Sequence, residues 1–107
     1  MKNLLKLALL GSAAAFMVAT ASAQTSGADI YKGKCQMCHA ADGTADTPAG
    51  KAMKARPFNS PDVLKESDAE LIAIIKKGKN KMPSYADKLT DAQIKDVLAY
   101  IHTLQKK

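Results

Sequence analysis

Apolar positions in the second half of the chain recur at helical spacing. The last stripe consists of Ile94, Val97, Leu98, Ile101 and Leu104. The stripe before it consists of Leu71, Ile72, Ile74 and Ile75. Each stripe follows a capping-box sequence, at residues 67–70 and 90–93, and Gly78 is placed to end the first of the two helices. The pattern predicts two capped amphipathic helices, each with one buried face.

The first half of the chain has a different pattern. A helix is predicted from about Ala28 to Cys38, with Ser26 as its N-cap. Residues 40–66 contain three prolines and are predicted as a long loop region, with a short helix near residues 49–55. Because no segment alternates between apolar and polar residues as a strand does, we predict an all-α fold.

The N-terminal residues have the features of a secretory signal. Lys2 and Lys6 give a charged start, a short apolar run follows, and residues 21–23 form a small-residue cleavage pattern. The apolar run is interrupted and shorter than the roughly 20 residues of a membrane span. We therefore predict a cleaved signal peptide over residues 1–23 and one exported domain over residues 24–107, located in the periplasm without stable membrane insertion.

The charge of the chain is moderately positive. Its formal net charge is +6, and two of the 16 basic residues belong to the predicted signal. This is short of the dense basic patch typical of nucleic-acid binding, which we do not expect. Lysines cluster along the sequence at Lys32, Lys34, Lys76, Lys77, Lys79 and Lys81. They are either an ordinary solvated surface or a docking surface for an acidic partner.

The chemistry of the chain is concentrated in a C-x-x-C-H motif formed by Cys35, Cys38 and His39. This is the attachment sequence of c-type haem. Two cysteines three positions apart lie on one side of a helical turn, where both sulfurs can form thioethers to one porphyrin edge. The following imidazole can then bind the iron. A covalent haem c would also supply apolar mass to a domain that is small for a core of side chains alone.

Three other uses of the cysteines are weaker. A dithiol redox motif would need a strand–helix setting that the sequence does not indicate. A structural zinc site needs four ligands, for which the chain offers Cys35, Cys38, His39 and the distant His102. The neighbours Cys38 and His39 would crowd one ion. A simple disulfide between the two cysteines is the third alternative.

Met82 is the predicted second axial ligand of the iron. It lies between the two capped helices, and Pro83 restricts the backbone beside it. Met53 and His102 are the other candidates; we expect His102 at the surface or half-buried. A His39–Met82 pair would raise the reduction potential and leave no vacant site for a substrate, so we expect an electron carrier and not an enzyme.

The mature chain resembles the small bacterial class I c-type cytochromes. Gly27 and Tyr31 lie eight and four positions before the first cysteine, and Tyr100 matches the aromatic residue of the family's C-terminal helix. The resemblance implies about four helices with long loops around one haem, with one haem edge exposed. It also implies a hydrogen bond from His39 to a proline carbonyl, that of Pro48 or alternatively Pro57.

The predicted function is single-electron transfer. We expect a monomer that shuttles electrons between periplasmic or membrane redox proteins with acidic docking surfaces. The alternative is a catalytic or small-ligand-binding haem protein, in which Met82 would leave the iron. A non-haem module that uses Cys35 and Cys38 as thiols is a third class.

Overall fold

The computed structural model describes residues 25–105, so the predicted signal peptide over residues 1–23 lies outside the described residues. Within 25–105 the structure is helical, and it contains no strand beyond a bridge between Lys79 and Met82. The elements are α1 (Gly27–Ile30), a π-helical segment (Tyr31–Cys35), α2 (Gln36–His39), α3 (Pro48–Ala52), α4 (Pro61–Leu64), α5 (Asp68–Lys77) and α6 (Asp91–Gln105). The predicted all-α class is confirmed.

The first three elements follow one another without a break and form the attachment segment, residues 27–39. Ser26 caps it as predicted, because its hydroxyl accepts a hydrogen bond from the Asp29 amide at 3.2 Å. The π-helical segment was not predicted. There the Gln36 amide donates to the carbonyl of Tyr31, five residues back, which widens one turn just before the second cysteine.

Both predicted capping boxes are present. The Ser67 hydroxyl accepts from the Glu70 amide at 3.1 Å, and the Glu70 carboxylate accepts from the Ser67 amide at 2.8 Å. Thr90 and Gln93 make the same pair of bonds at 3.1 and 2.9 Å. Gly78 ends α5 with a φ of 81°, a value that glycine adopts at little cost. Local sequence signals therefore define both long helices.

The core forms where α1 crosses α6. All five apolar residues of the last stripe are buried, and Ile94 and Val97 are 0% exposed. Gly27 lies against the backbone of α6, where a Cβ would come within 2.7 Å of the Asp96 carbonyl carbon. The rings of Tyr31 and Tyr100 pack nearby, with centroids 5.2 Å apart. The first and last helices are thus in direct contact.

The middle of the chain, residues 40–66, wraps one side of this core. Its two short helices, α3 and α4, each begin with a proline at the first turn, where the missing amide hydrogen costs nothing. The predicted short helix near residues 49–55 is confirmed as α3, and α4 was not predicted. The Tyr31 hydroxyl donates to the Ala40 carbonyl at 2.6 Å and fixes the start of this region to the attachment segment.

Candidate haem site

A cavity opens between the attachment segment, the middle region and the loop after α5. Its apolar wall includes Phe58, Val63, Leu71, Ile74, Ile75, Leu89, Leu98 and Ile101. Cys35, Cys38 and His39 lie on this cavity, and so does Met82. The structure thus brings the four residues selected from the sequence to one space, although 43 positions separate His39 from Met82.

His39 is held at the cavity by an aromatic neighbour. Its imidazole stacks on the Phe58 ring, with centroids 4.7 Å apart and an interplanar angle of 24°. Burial lowers the pKa of His39; the backbone of Arg56 opposes this shift, and the Arg56 charge adds to it. A lowered pKa favours the neutral imidazole, which is the form that binds a metal.

The Nδ1 atom of His39 is buried and has no hydrogen-bond partner among the described residues. The bond to the Pro48 or Pro57 carbonyl, which the family resemblance implied, is therefore not formed in this structure. The backbone of Arg56, next to Pro57, is the main-chain group that influences the imidazole. A buried nitrogen without a partner is costly, and a bond from Nδ1 to a main-chain carbonyl would remove that cost.

The two cysteines do not fit the alternatives to haem attachment. Both are free, so no disulfide joins them. Burial raises the pKa of the Cys35 thiol to about 11, whereas a reactive dithiol needs a lowered value. Within residues 25–105 no three His, Cys, Asp or Glu side chains cluster as a metal site would require. The hypotheses of a zinc site and of a reactive dithiol are therefore unsupported.

Met82 belongs to a well-defined loop, residues 78–90, which we call the methionine loop. The Lys79 amide donates to the Met82 carbonyl at 3.1 Å, and the Met82 amide donates to the Lys79 carbonyl at 2.9 Å. The turn needs glycine at position 78, because a Cβ there would lie 2.6 Å from the Met82 carbonyl oxygen. Met82 is half-buried and packs against the core.

The other two candidate ligands differ in position. Met53 also lines the cavity, with 44% of its surface exposed. His102 does not line it: its Nε2 lies 2.8 Å from an Asp68 carboxylate oxygen and its Nδ1 lies 2.6 Å from the Gln105 amide oxygen. The prediction of a half-buried His102 on the flank of α6 is confirmed. The geometry therefore separates His102 from the site and leaves both methionines beside it.

Several residues of the cavity were not predicted from the sequence. Phe58 and Tyr85 line it, but neither belongs to a helical stripe, so periodicity could not select them. Its cationic residues are Lys34, Lys54, Arg56, Lys79 and Lys81, and no Asp or Glu of the described chain lines it. The lysine cluster in the sequence predicted three of these five. Arg56 also donates to the Glu66 carboxylate at 3.1 Å, a bond within the middle region.

The residues fit a haem group. The cavity has an extended apolar wall, the two cysteine sulfurs and the imidazole of the C-x-x-C-H motif, and a soft thioether sulfur from Met82. Cationic side chains at the cavity can balance the two carboxylates that haem carries. These are features of a c-type cytochrome.

Known proteins that are similar to this chain are also cytochromes c. A family model described as cytochrome c oxidase, cbb3-type, subunit III matches residues 22–101. Cytochrome c6 of Nostoc sp. is 34% identical over 105 residues, which cover 94% of this chain and 92% of that protein. Cytochrome c6 of Thermosynechococcus vestitus is 37% identical over 83 residues, which cover 78% of this chain and 71% of that protein.

A solved structure is also similar. The KustC0563 c-type cytochrome matches with a TM-score of 0.69 and 29% identity, over 76% of this chain and 99% of that chain. The chain therefore belongs to this cytochrome c family, as a small class I monohaem protein. It carries covalently bound haem c and is a haem c electron carrier. No helix within residues 25–105 is long and apolar enough to cross a membrane.

Proposed function

We propose that Cys35 and Cys38 hold the haem through thioethers and that His39 and Met82 are its axial ligands. The protein then shuttles single electrons between periplasmic or membrane redox partners. The observation that carries this proposal is the convergence of all four residues on one cavity. The haem supplies a centre that gains and loses one electron reversibly.

The protein residues keep that centre in one coordination state. The Phe58 stack orients the His39 ring, and the buried surroundings keep the imidazole neutral so that Nε2 can donate its lone pair. The apolar wall excludes water, which limits the rearrangement of solvent when the charge of the site changes. A closed pair of axial ligands leaves no position for a substrate, which supports a carrier and not an enzyme.

Met82 is preferred to Met53 as the sixth ligand on two observations. Met82 packs against the core, whereas Met53 is among the exposed large apolar residues. Met82 also lies in a loop closed by two backbone hydrogen bonds, so the main chain that carries it loses little freedom when the side chain binds.

The partner surface follows from the charges around the cavity. Five cationic residues and no acidic residue of the described chain line it. This distribution supports docking to an acidic surface of a redox partner, with the haem edge between them. We propose that the protein acts as a monomer in the periplasm after cleavage behind Ala23. The intact mass of the exported protein checks the cleavage position and the added haem together.

Paired variants test the axial ligands. Met82→Ala should abolish the sulfur-to-iron absorption band of the ferric protein, lower the reduction potential and allow carbon monoxide to bind the reduced protein. Met53→Ala is the matched control and should leave all three unchanged. The reverse result would assign Met53 as the ligand. Ready binding of carbon monoxide by the unaltered protein would instead favour a ligand-binding or catalytic role.

A further inference from the structure

The methionine loop is bound to the end of α5 through its backbone. The Tyr85 amide donates to the Ile75 carbonyl at 3.0 Å, and the Ala86 amide donates to the Lys76 carbonyl at 3.2 Å. The Ser84 hydroxyl also donates to the Lys76 carbonyl, at 2.5 Å. These bonds join the loop to α5, which forms one side of the cavity.

A separate bond joins the loop to the attachment segment on the other side. The Tyr85 hydroxyl donates to the Lys34 carbonyl at 3.1 Å, across 51 positions of sequence. Lys34 lies in the π-helical segment and directly precedes Cys35. The bond therefore connects the loop that contains Met82 with the segment that contains His39.

The Tyr85 ring is itself held in place. It lines the cavity together with Cys35 and Met82, and it packs against the core. The Lys88 ammonium lies 5.4 Å from the ring centroid, within the range of a cation–π interaction. A ring fixed in this way presents its hydroxyl to the Lys34 carbonyl with little loss of side-chain freedom.

We propose that Tyr85 is a positioning residue, which keeps Met82 in its ligand position by tying the methionine loop to the attachment segment through Lys34. This inference rests on the proposed ligation by Met82. When the loop moves away from the attachment segment, the Tyr85–Lys34 bond breaks. Loss of one hydrogen bond of ordinary net strength raises the open fraction of the loop about two- to ten-fold.

Imidazole binding to the ferric protein tests this role. Added imidazole can take the sixth position only when Met82 leaves, so its apparent affinity reports the open fraction of the loop. Tyr85→Phe keeps the packed ring and removes the hydroxyl. We expect the apparent imidazole affinity to rise about two- to ten-fold, with an unchanged far-ultraviolet circular dichroism spectrum.

Tyr31→Phe is the matched control. The Tyr31 hydroxyl also donates to a backbone carbonyl, but that carbonyl belongs to Ala40, outside the methionine loop. This variant should lower the global stability and leave the imidazole affinity unchanged. Equal rises in affinity in both variants would mean that imidazole binding follows global stability, and the role of Tyr85 would then be rejected.

Failure of the proposed ligation would look different from failure of this inference. If the unaltered ferric protein lacks the sulfur-to-iron band and that spectrum does not respond to Met82→Ala, Met82 is no ligand and both proposals fall. If the band is present and is lost in Met82→Ala, the ligation stands. An imidazole affinity in Tyr85→Phe equal to that of the unaltered protein would then overturn the inference alone.

Discussion

The ring of Phe58 stacks on the imidazole of His39, with 4.7 Å between their centroids. Phe58 is buried and also meets the edge of the Tyr31 ring, at 6.1 Å between centroids. Phe58→Ala should therefore lower the free energy of unfolding by about 3–5 kcal/mol, because it removes a large buried ring. Phe58→Leu retains most of the apolar volume and should cost about 1–2 kcal/mol. Urea denaturation of the haem-loaded protein measures both, and equal stability of the two variants would contradict the packing role.

The close approach of Gly27 to α6 predicts opposite changes in stability for two glycine-to-alanine variants. Gly27→Ala should destabilise the protein by about 2–3 kcal/mol, because the new Cβ would collide with the backbone of Asp96. Gly33→Ala is the control, since a Cβ there meets nothing within 4 Å. It should raise the stability by about 0.5–1 kcal/mol, because alanine restricts the unfolded chain. Thermal unfolding distinguishes the two, and a stabilising Gly27→Ala would disprove the close approach.

The buried hydroxyl of Tyr31 predicts how the stability of the protein changes in alkaline solution. Burial raises the pKa of its hydroxyl well above the ordinary value of 10.0. The Cys35 thiol is the second contributor to that shift, and it no longer ionises once it is a thioether. The unfolded chain therefore loses this proton first, so the stability that Tyr31 provides is present below about pH 10 and falls as the pH rises above it.

The variant Tyr31→Phe isolates this contribution. It should lower the free energy of unfolding by about 1–2 kcal/mol near neutral pH, because the Ala40 carbonyl loses its buried donor. The difference between the two proteins should shrink as the pH rises above about 10. Denaturation curves at several pH values measure it. A difference that stays constant with pH would mean that the phenol ionises alike in the folded and unfolded states.

The charges around the cavity predict the dependence of electron transfer on salt. Lys81 lines the cavity and is exposed, so Lys81→Glu should slow reduction by an acidic partner several-fold at low ionic strength. Lys95→Glu makes the same charge change on an exposed position of α6 outside the cavity and should have a much smaller effect. Stopped-flow rates over a range of salt concentrations compare them. Identical salt dependence in the two variants would show that net charge, and not its position, sets the rate.

The sequence predicted the parts of the fold that depend on neighbours in the chain. Ser67 and Thr90 begin their helices, and Gly78 ends one, because caps act over three or four residues. The C-x-x-C-H motif is equally local. A helix was predicted over residues 28–38, but the π-helical turn within it was not. The four-residue helix α4 was missed because it is too short to show a periodic apolar pattern.

The contacts that complete the cavity could not be predicted in the same way. Phe58 meets His39 from across the middle region, and Tyr85 reaches Lys34 over 51 positions. Such contacts depend on how the chain closes in space, and nothing in the local sequence encodes them. The hydrogen bond from His39 to a proline carbonyl, which the family resemblance implied, is not formed in this structure.

The contact between α1 and α6 joins the first and last helices of the described residues. A single break in the exposed turn near Asp42 would leave two fragments, one with α1 and the other with α6, that still share the Gly27–Asp96 interface. Fragment complementation is therefore a property that this topology makes accessible.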